Sequence, residues 1–93
     1  MTFSDEDNIK ATLFYNLRKK RRIGEKHTSF DNLKFGFPSH IGKDILKIAR
    51  ELVRQGYLIT KPTSYGLQVS LNKGRIKEVE EFIKKVLGID FDS

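Results

Sequence analysis

His27 and His40 are the only imidazoles in this chain, which has no cysteine. The two lack the i, i+4 spacing that would place a metal-binding pair on one helix face. Acids gather in two places. Asp5, Glu6 and Asp7 stand at an expected helix start, where capping and the helix dipole account for them. Asp90 and Asp92 flank Phe91 near the end of the chain. Lys73-Gly74-Arg75 is not a glycine-rich phosphate loop, and no other stretch is one. The residues therefore predict no enzyme, no metal site and no cofactor. The groups left with chemistry to offer are bases, and that chemistry is the neutralisation of a polyanion.

The bases are unevenly placed. The formal net charge is +6, but between Arg18 and Pro62 twelve Lys and Arg face only Glu25, Asp31, Asp44 and Glu51. From Lys73 onward five bases balance five acids, and the first seventeen residues are net acidic. Two clusters lie in this basic middle. One is the run Arg18, Lys19, Lys20, Arg21, Arg22, which reads as a helix end that favours the dipole, as a phosphate clamp or as a localisation signal. The other is spread along Ser39 to Gly56. There Ile41, Ile45, Ile48 and Leu52 recur at helical spacing, while Lys43, Lys47, Arg50 and Arg54 gather on the opposite side of the wheel beside His40. A helix anchored by an aliphatic back and basic along its front suits contact with nucleic acid, although charged outer faces are also common on ordinary surface helices.

These residues need elements to position them. A first helix is expected from Ser4, which can cap it, with Ile9, Leu13, Phe14 and Leu17 facing inward and Ile23-Gly24 stopping it after the basic run. His27 to Phe30 reads as a brief extended segment, followed by a short helix capped by Asp31 with Leu33 inward. Phe30, Phe35 and Phe37 are expected in the core, and Pro38 leads into the long helix, capped by Ser39 and ended by Gly56. Tyr57–Lys61 and the alternating Leu67–Leu71 form a hairpin around the turn-rich Pro62–Gly66. Asn72 can cap a last helix with Ile76, Val79, Ile83 and Val86 inward, Glu80–Lys84 and Glu81–Lys85 paired outside, and Gly88 at its end.

With the order helix, short strand, short helix, turn, long helix, hairpin, helix, the chain resembles the winged helix-turn-helix family over about residues 5–87. The resemblance is carried by D-N-L-K-F-G-F-P-S-H-I-G-K-D-I-L-K-I-A-R-E-L-V-R-Q-G-Y-L-I-T-K-P-T-S-Y-G-L-Q-V-S-L, above all by the junction E-L-V-R-Q-G-Y-L-I. It is most similar to small archaeal and archaeal-virus members. The resemblance implies an α+β fold: a three-helix core with a β-hairpin wing and an additional C-terminal helix, in one domain over 1–93 with a frayed tail at 89–93. It implies sequence-specific binding of double-stranded DNA, as in a transcriptional regulator. A recognition helix at about 40–55 would enter the major groove, with His40, Lys43, Asp44 and Lys47 at base edges. Arg18, Lys19, Lys20, Arg21, Arg22, Thr28, Ser29, Lys34, Arg50 and Arg54 would lie on the backbone. The wing, about 61–66, would touch backbone or minor groove through Lys61, Thr63, Ser64 and Tyr65, and its single base departs from strongly wing-reading members. Many relatives of this kind pair as dimers through their terminal helices, and a homodimer is the expectation here.

Ninety-three residues suffice for one small core and no more. No apolar run is long enough to span a bilayer, and the acidic start differs from a signal peptide, so the expected setting is cytoplasmic, at the nucleoid, with no membrane partner. A different reading is a winged helix that serves as a protein-interaction module in a replication or transcription assembly, its basic row meeting an acidic protein. Single-strand or RNA binding would need exposed stacking aromatics, for which Tyr65, Tyr57 and Tyr15 are the candidates.

Overall fold

The computed structural model of the chain describes residues 6–91. Among these, three α-helices pack with a three-stranded antiparallel sheet: α1 (Glu6–Lys19), β1 (Thr28–Ser29), α2 (Gly42–Arg54), β2 (Leu58–Thr63), β3 (Gly66–Leu71) and α3 (Ile76–Leu87). Three 3-10 turns (Phe30–Lys34, Ser39–Ile41 and Lys73–Arg75) link them. The sheet order is β1-β3-β2, with Thr28 opposite Val69 and Leu58 opposite Leu71. This layout is compatible with a winged-helix arrangement. The Ser4 cap and Asp5 expected for α1 lie outside the described residues.

The apolar spacing does what helix geometry requires. Ile9, Leu13 and Leu17 of α1, Ile45, Ala49 and Leu52 of α2, and Val79 and Ile83 of α3 are buried around one core, closed by Leu58, Val69 and Leu71 from the sheet. Leu33 of the first 3-10 turn completes it. Each large aliphatic here removes apolar surface worth roughly 1.5–3 kcal/mol from water. The contacts of α1 with α3 are intramolecular, so the buried stripes of both terminal helices serve this one core.

Two helix ends set the site. At the end of α2, Gly56 N–H donates to the Val53 carbonyl and Tyr57 N–H to the Leu52 carbonyl, both at 3.0 Å, with Gly56 at φ +87°. That pairing is the Schellman stop expected from glycine. At the end of α1 the same two-bond motif forms without glycine: Arg21 N–H donates to Arg18 and Arg22 N–H to Leu17, and Arg21 sits at φ +56°. The helix therefore stops inside the basic run, ahead of Ile23-Gly24, and the five bases fan out from a turn.

Other expectations also change. Ser39 does not cap α2. Pro38 fixes the chain direction, Ile41 N–H reaches back to the Pro38 carbonyl at 3.1 Å, and this tight turn places Ile41 at the cap position with no side-chain bond. The first 3-10 turn starts at Phe30 and receives no capping bond from a side chain, so Asp31 lies in its first turn instead of before it. Phe30 and Phe37 are buried, but Phe35 is 65% exposed because the turn ends by pointing the chain outward there. The pairs Glu80–Lys84 and Glu81–Lys85 do not form. Glu80 is taken by Arg18 at 2.8 Å and Lys84 by Asp90 at 3.3 Å. The tail also packs: Ile89 and Phe91 lie against the core, with Phe91 6.2 Å from the Tyr15 ring. Asn72 caps the 3-10 turn Lys73–Arg75 and not α3 itself, accepting from Gly74 N–H at 3.0 Å, while α3 starts behind Arg75 with no side-chain bond; the Asn72 amide also donates to the Gly56 carbonyl at 2.7 Å. One side chain thus ties the end of α2 to the turn that leads into α3.

Candidate nucleic-acid interface

The outward face of α2 carries Lys43, Lys47, Arg50 and Arg54, all exposed, directly behind which Ile45, Ala49 and Leu52 are buried. Because the back is fixed, the front cannot roll away from a ligand without breaking the core. The four bases differ in how free they are. Arg54 pairs with Glu51 one turn earlier at 3.1 Å, an exposed contact that water readily replaces. The Arg50 guanidinium lies 5.6 Å from the Phe30 ring centroid. Lys43 and Lys47 have no carboxylate partner among the described residues.

Grooves flank this helix on both sides. One, about 1070 Å³ and open, runs between α2 and the start of α1, where His40, Asp44, Lys47 and Glu51 meet Glu6 and Lys10 above an Ile9, Ile41 and Ile48 floor. The other, about 410 Å³, lies between α2 and the preceding turn, and Lys34, Phe35, Lys43 and Leu46 line it. The four residues expected at base edges are therefore divided. His40, Asp44 and Lys47 share one groove, while Lys43 joins Lys34 in the other. His40 stands on the 3-10 turn ahead of α2, which brings it to the mouth of the first groove.

The basic run does not act as one patch. Arg18 is half-buried, bound to Glu80 and 4.7 Å from the Phe91 ring centroid, so its charge is already matched. Lys19 lies 5.2 Å from the Tyr15 ring centroid. Arg21 turns toward Lys26 and α3, whereas Lys20 and Arg22 line a recess with Thr28 on the other side. Thr28 and Ser29 are half-buried in β1, and Lys34 is exposed at the end of its 3-10 turn.

The hairpin reaches out from the core. From Ile59 to Leu67 every residue is exposed. β2 runs through Pro62 to Thr63, so the loop is only Ser64-Tyr65, tighter than the sequence suggests. Pro62 is tolerated because β2 is the edge of the sheet. The Thr63 hydroxyl donates to the Gly66 carbonyl at 2.7 Å and accepts from Tyr65 N–H at 3.2 Å, which fixes the tip with Tyr65 95% exposed. Gly66, at φ +114°, supplies the backbone bend. Lys61 stands opposite Gln68 along the arm. Sequence reasoning missed the exposed Ile59, Leu67 and Phe35, whose alternation and aromaticity resemble those of core residues.

Among the described residues no three His, Cys, Asp or Glu side chains gather as a metal set, and no helix is long and apolar enough to cross a membrane. Neither protein-family models, nor curated proteins, nor solved structures give a match to this chain.

Proposed function

We propose that the chain binds double-stranded DNA as a winged-helix protein and acts as a transcriptional regulator, with α2 in the major groove and the β2–β3 hairpin on the adjoining backbone or minor groove. One observation carries this reading: α2 is buried along one side and presents four exposed bases along the other, three of them without a carboxylate partner among the described residues. A helix about 10–12 Å across with its side chains fits the major groove, which is about 12 Å wide. Lys43 and Lys47 stand where base edges would lie, with His40 and Asp44 beside Lys47, and Arg50, Arg54 and Lys34 serve the phosphates. The core is complete within one chain, so the pairing of two copies on a two-fold site would use outer surfaces.

The test is duplex binding by fluorescence anisotropy over a range of salt, on random duplex and on duplexes selected from a random pool. Lys43→Ala with Lys47→Ala should abolish preference for selected over random duplex, at a cost of about 1–3 kcal/mol per lost base contact. Unchanged preference in the double variant would refute the assignment of α2. A second reading, a protein-interaction module in a replication or transcription assembly, draws on the hairpin, where Tyr65, Ile59 and Leu67 are exposed beside the single base Lys61. Absence of any duplex shift at micromolar protein and moderate salt would favour it.

A further inference from the structure

The recess between the end of α1, β1 and the first 3-10 turn has a composition unlike the two grooves beside α2. It measures about 190 Å³ and its polar walls are Asn16, Lys20, Arg22, Thr28 and Asn32, over a floor that includes Leu13, Leu17 and Leu33. No carboxylate lines it. Both grooves beside α2 are larger, and one contains Glu6, Asp44 and Glu51.

Arg22 gives the recess its chemistry. One of its terminal nitrogens donates to the His27 carbonyl at 3.4 Å, a long and weak bond. Its Nε is buried and donates to no acceptor. A guanidinium group held partly out of water with an N–H unused incurs a desolvation cost, which a neighbouring anion would offset. The neighbouring groups are all able to donate: an ammonium, a hydroxyl and two side-chain amides. Donors arriving from three different elements match an acceptor with oxygens in several directions. A tetrahedral oxyanion has these, and a carboxylate with two oxygens in one plane does not. A planar guanidinium fork beside a lysine is also the pairing that best holds phosphate.

We propose that this recess is a binding site for a single phosphate group, held by Arg22 and Lys20 with Thr28, Asn16 and Asn32 as neutral donors. The group can belong to a duplex backbone or to a free phosphate or phosphate ester. Phe35 favours a link with α2, since it is a wall both of this recess and of the groove that holds Lys34 and Lys43. Gly36, which follows Phe35 at this boundary, has φ +93°, a conformation that favours glycine. The duplex arm of the proposal rests on the DNA-binding reading, and the free-phosphate arm does not.

The test follows the Arg22 side-chain Nε–H resonance in an amide correlation spectrum, assigned by its loss in Arg22→Lys. Sodium phosphate is titrated against sodium chloride at equal ionic strength, and a short random duplex is titrated separately. A saturable millimolar shift with phosphate, weakened at least about fivefold in Lys20→Gln, a substitution at an exposed position, supports a site for free phosphate groups. A shift with duplex alone, lost in Lys20→Gln and reduced in Thr28→Val, supports a backbone phosphate in the recess. No shift with either overturns the proposal. Duplex binding with the Arg22 resonance unmoved by duplex and by phosphate alike overturns it and leaves the α2 reading intact. A phosphate shift without duplex binding sustains the site and removes the DNA reading.

Discussion

Replacing Arg18 by Gln separates the parts of the basic run that build the fold from those that face a ligand. The Arg18 Nε lies 2.8 Å from Glu80 Oε2, with the two side chains only 26% and 22% exposed, and the guanidinium carbon lies 4.7 Å from the Phe91 ring centroid. A charge-assisted hydrogen bond in that setting contributes about 1.5–3 kcal/mol, and the ring contact adds roughly 0.5–1 kcal/mol. Gln retains part of the bond to Glu80, so the expected loss is about 2 kcal/mol. In a chain of 93 residues that lowers Tm by about 10 °C. Thermal unfolding by circular dichroism measures it. Duplex anisotropy on the same sample should show the salt slope of the parent, since Arg18 adds no phosphate contact. Lys20→Gln should do the reverse: Tm nearly unchanged and the slope flatter by about 0.9. If Arg18→Gln shifts Tm by less than about 2 °C and flattens the slope as Lys20→Gln does, that division of the run is wrong.

Other positions give independent checks. Arg21→Gly should stabilise by about 0.5–1 kcal/mol, since relief of roughly 1–2 kcal/mol at a left-handed residue outweighs glycine's extra chain entropy. The readout is a higher urea midpoint at unchanged m-value. Asn72→Ala removes both the cap on Gly74 and the bond to the Gly56 carbonyl, so a loss of about 1–2 kcal/mol and faster hydrogen exchange at Gly74 are expected. Phe35→Ser should change stability by less than about 0.5 kcal/mol because the ring is already in water, against the roughly 3–5 kcal/mol of a core phenylalanine. Denaturant titration distinguishes these two values.

The elements that a local pattern specifies were legible in the chain. The helical spacing of Ile45 and Leu52, the alternation from Leu67 to Leu71, and Gly56 and Gly88 as left-handed stops all have their cause within a few neighbouring residues, although Ala49 is fully buried where Ile41 and Ile48 of the expected stripe are only partly so. What escaped depends on partners distant in sequence. Glu80 belongs to Arg18, sixty-two positions away, and not to Lys84 one turn along. The short-range pair was the obvious candidate only because spacing is visible in a sequence and packing is not. Arg21 ends α1 where glycine would be sought, and no residue type announces that. Phe35 looks like Phe30 and Phe37 until the chain direction after the 3-10 turn is known. The site was affected in the same way. The row of bases on α2 is visible on a helical wheel, but its division between two grooves depends on where α1 and the preceding turn lie. The recess at Arg22 joins five polar residues that no spacing rule connects.

The excess of base over acid is uneven across the molecule. Five ion pairs form among the described residues, and four of them involve α1, α3 or the segments that border α3: Lys10–Glu6, Arg18–Glu80, Arg75–Glu78 and Lys84–Asp90. The fifth, Arg54–Glu51, is the sole pair on α2. Lys20, Lys34, Lys43, Lys47 and Lys61 have no carboxylate partner and lie on the recess, on the groove beyond Phe35, on α2 and on the hairpin, while Lys77 and Lys85 of α3 are unpaired too but stand among the acids Glu78, Glu80 and Glu81. Glu80 of α3 neutralises Arg18 at the rear of the basic run, and the largest excess of base over acid falls in the middle of the chain, which holds α2 and its neighbours. A protein that only needed solubility would gain nothing from that segregation, since mixed charge repels other copies as well and leaves fewer like charges side by side. Segregation costs self-repulsion in the folded state, and that cost is offset when a polyanion lies along the unpaired side. The same logic predicts that added selected duplex raises the Tm of the parent more than that of Lys43→Ala with Lys47→Ala. Equal protection of both proteins would place the polyanion elsewhere on the surface.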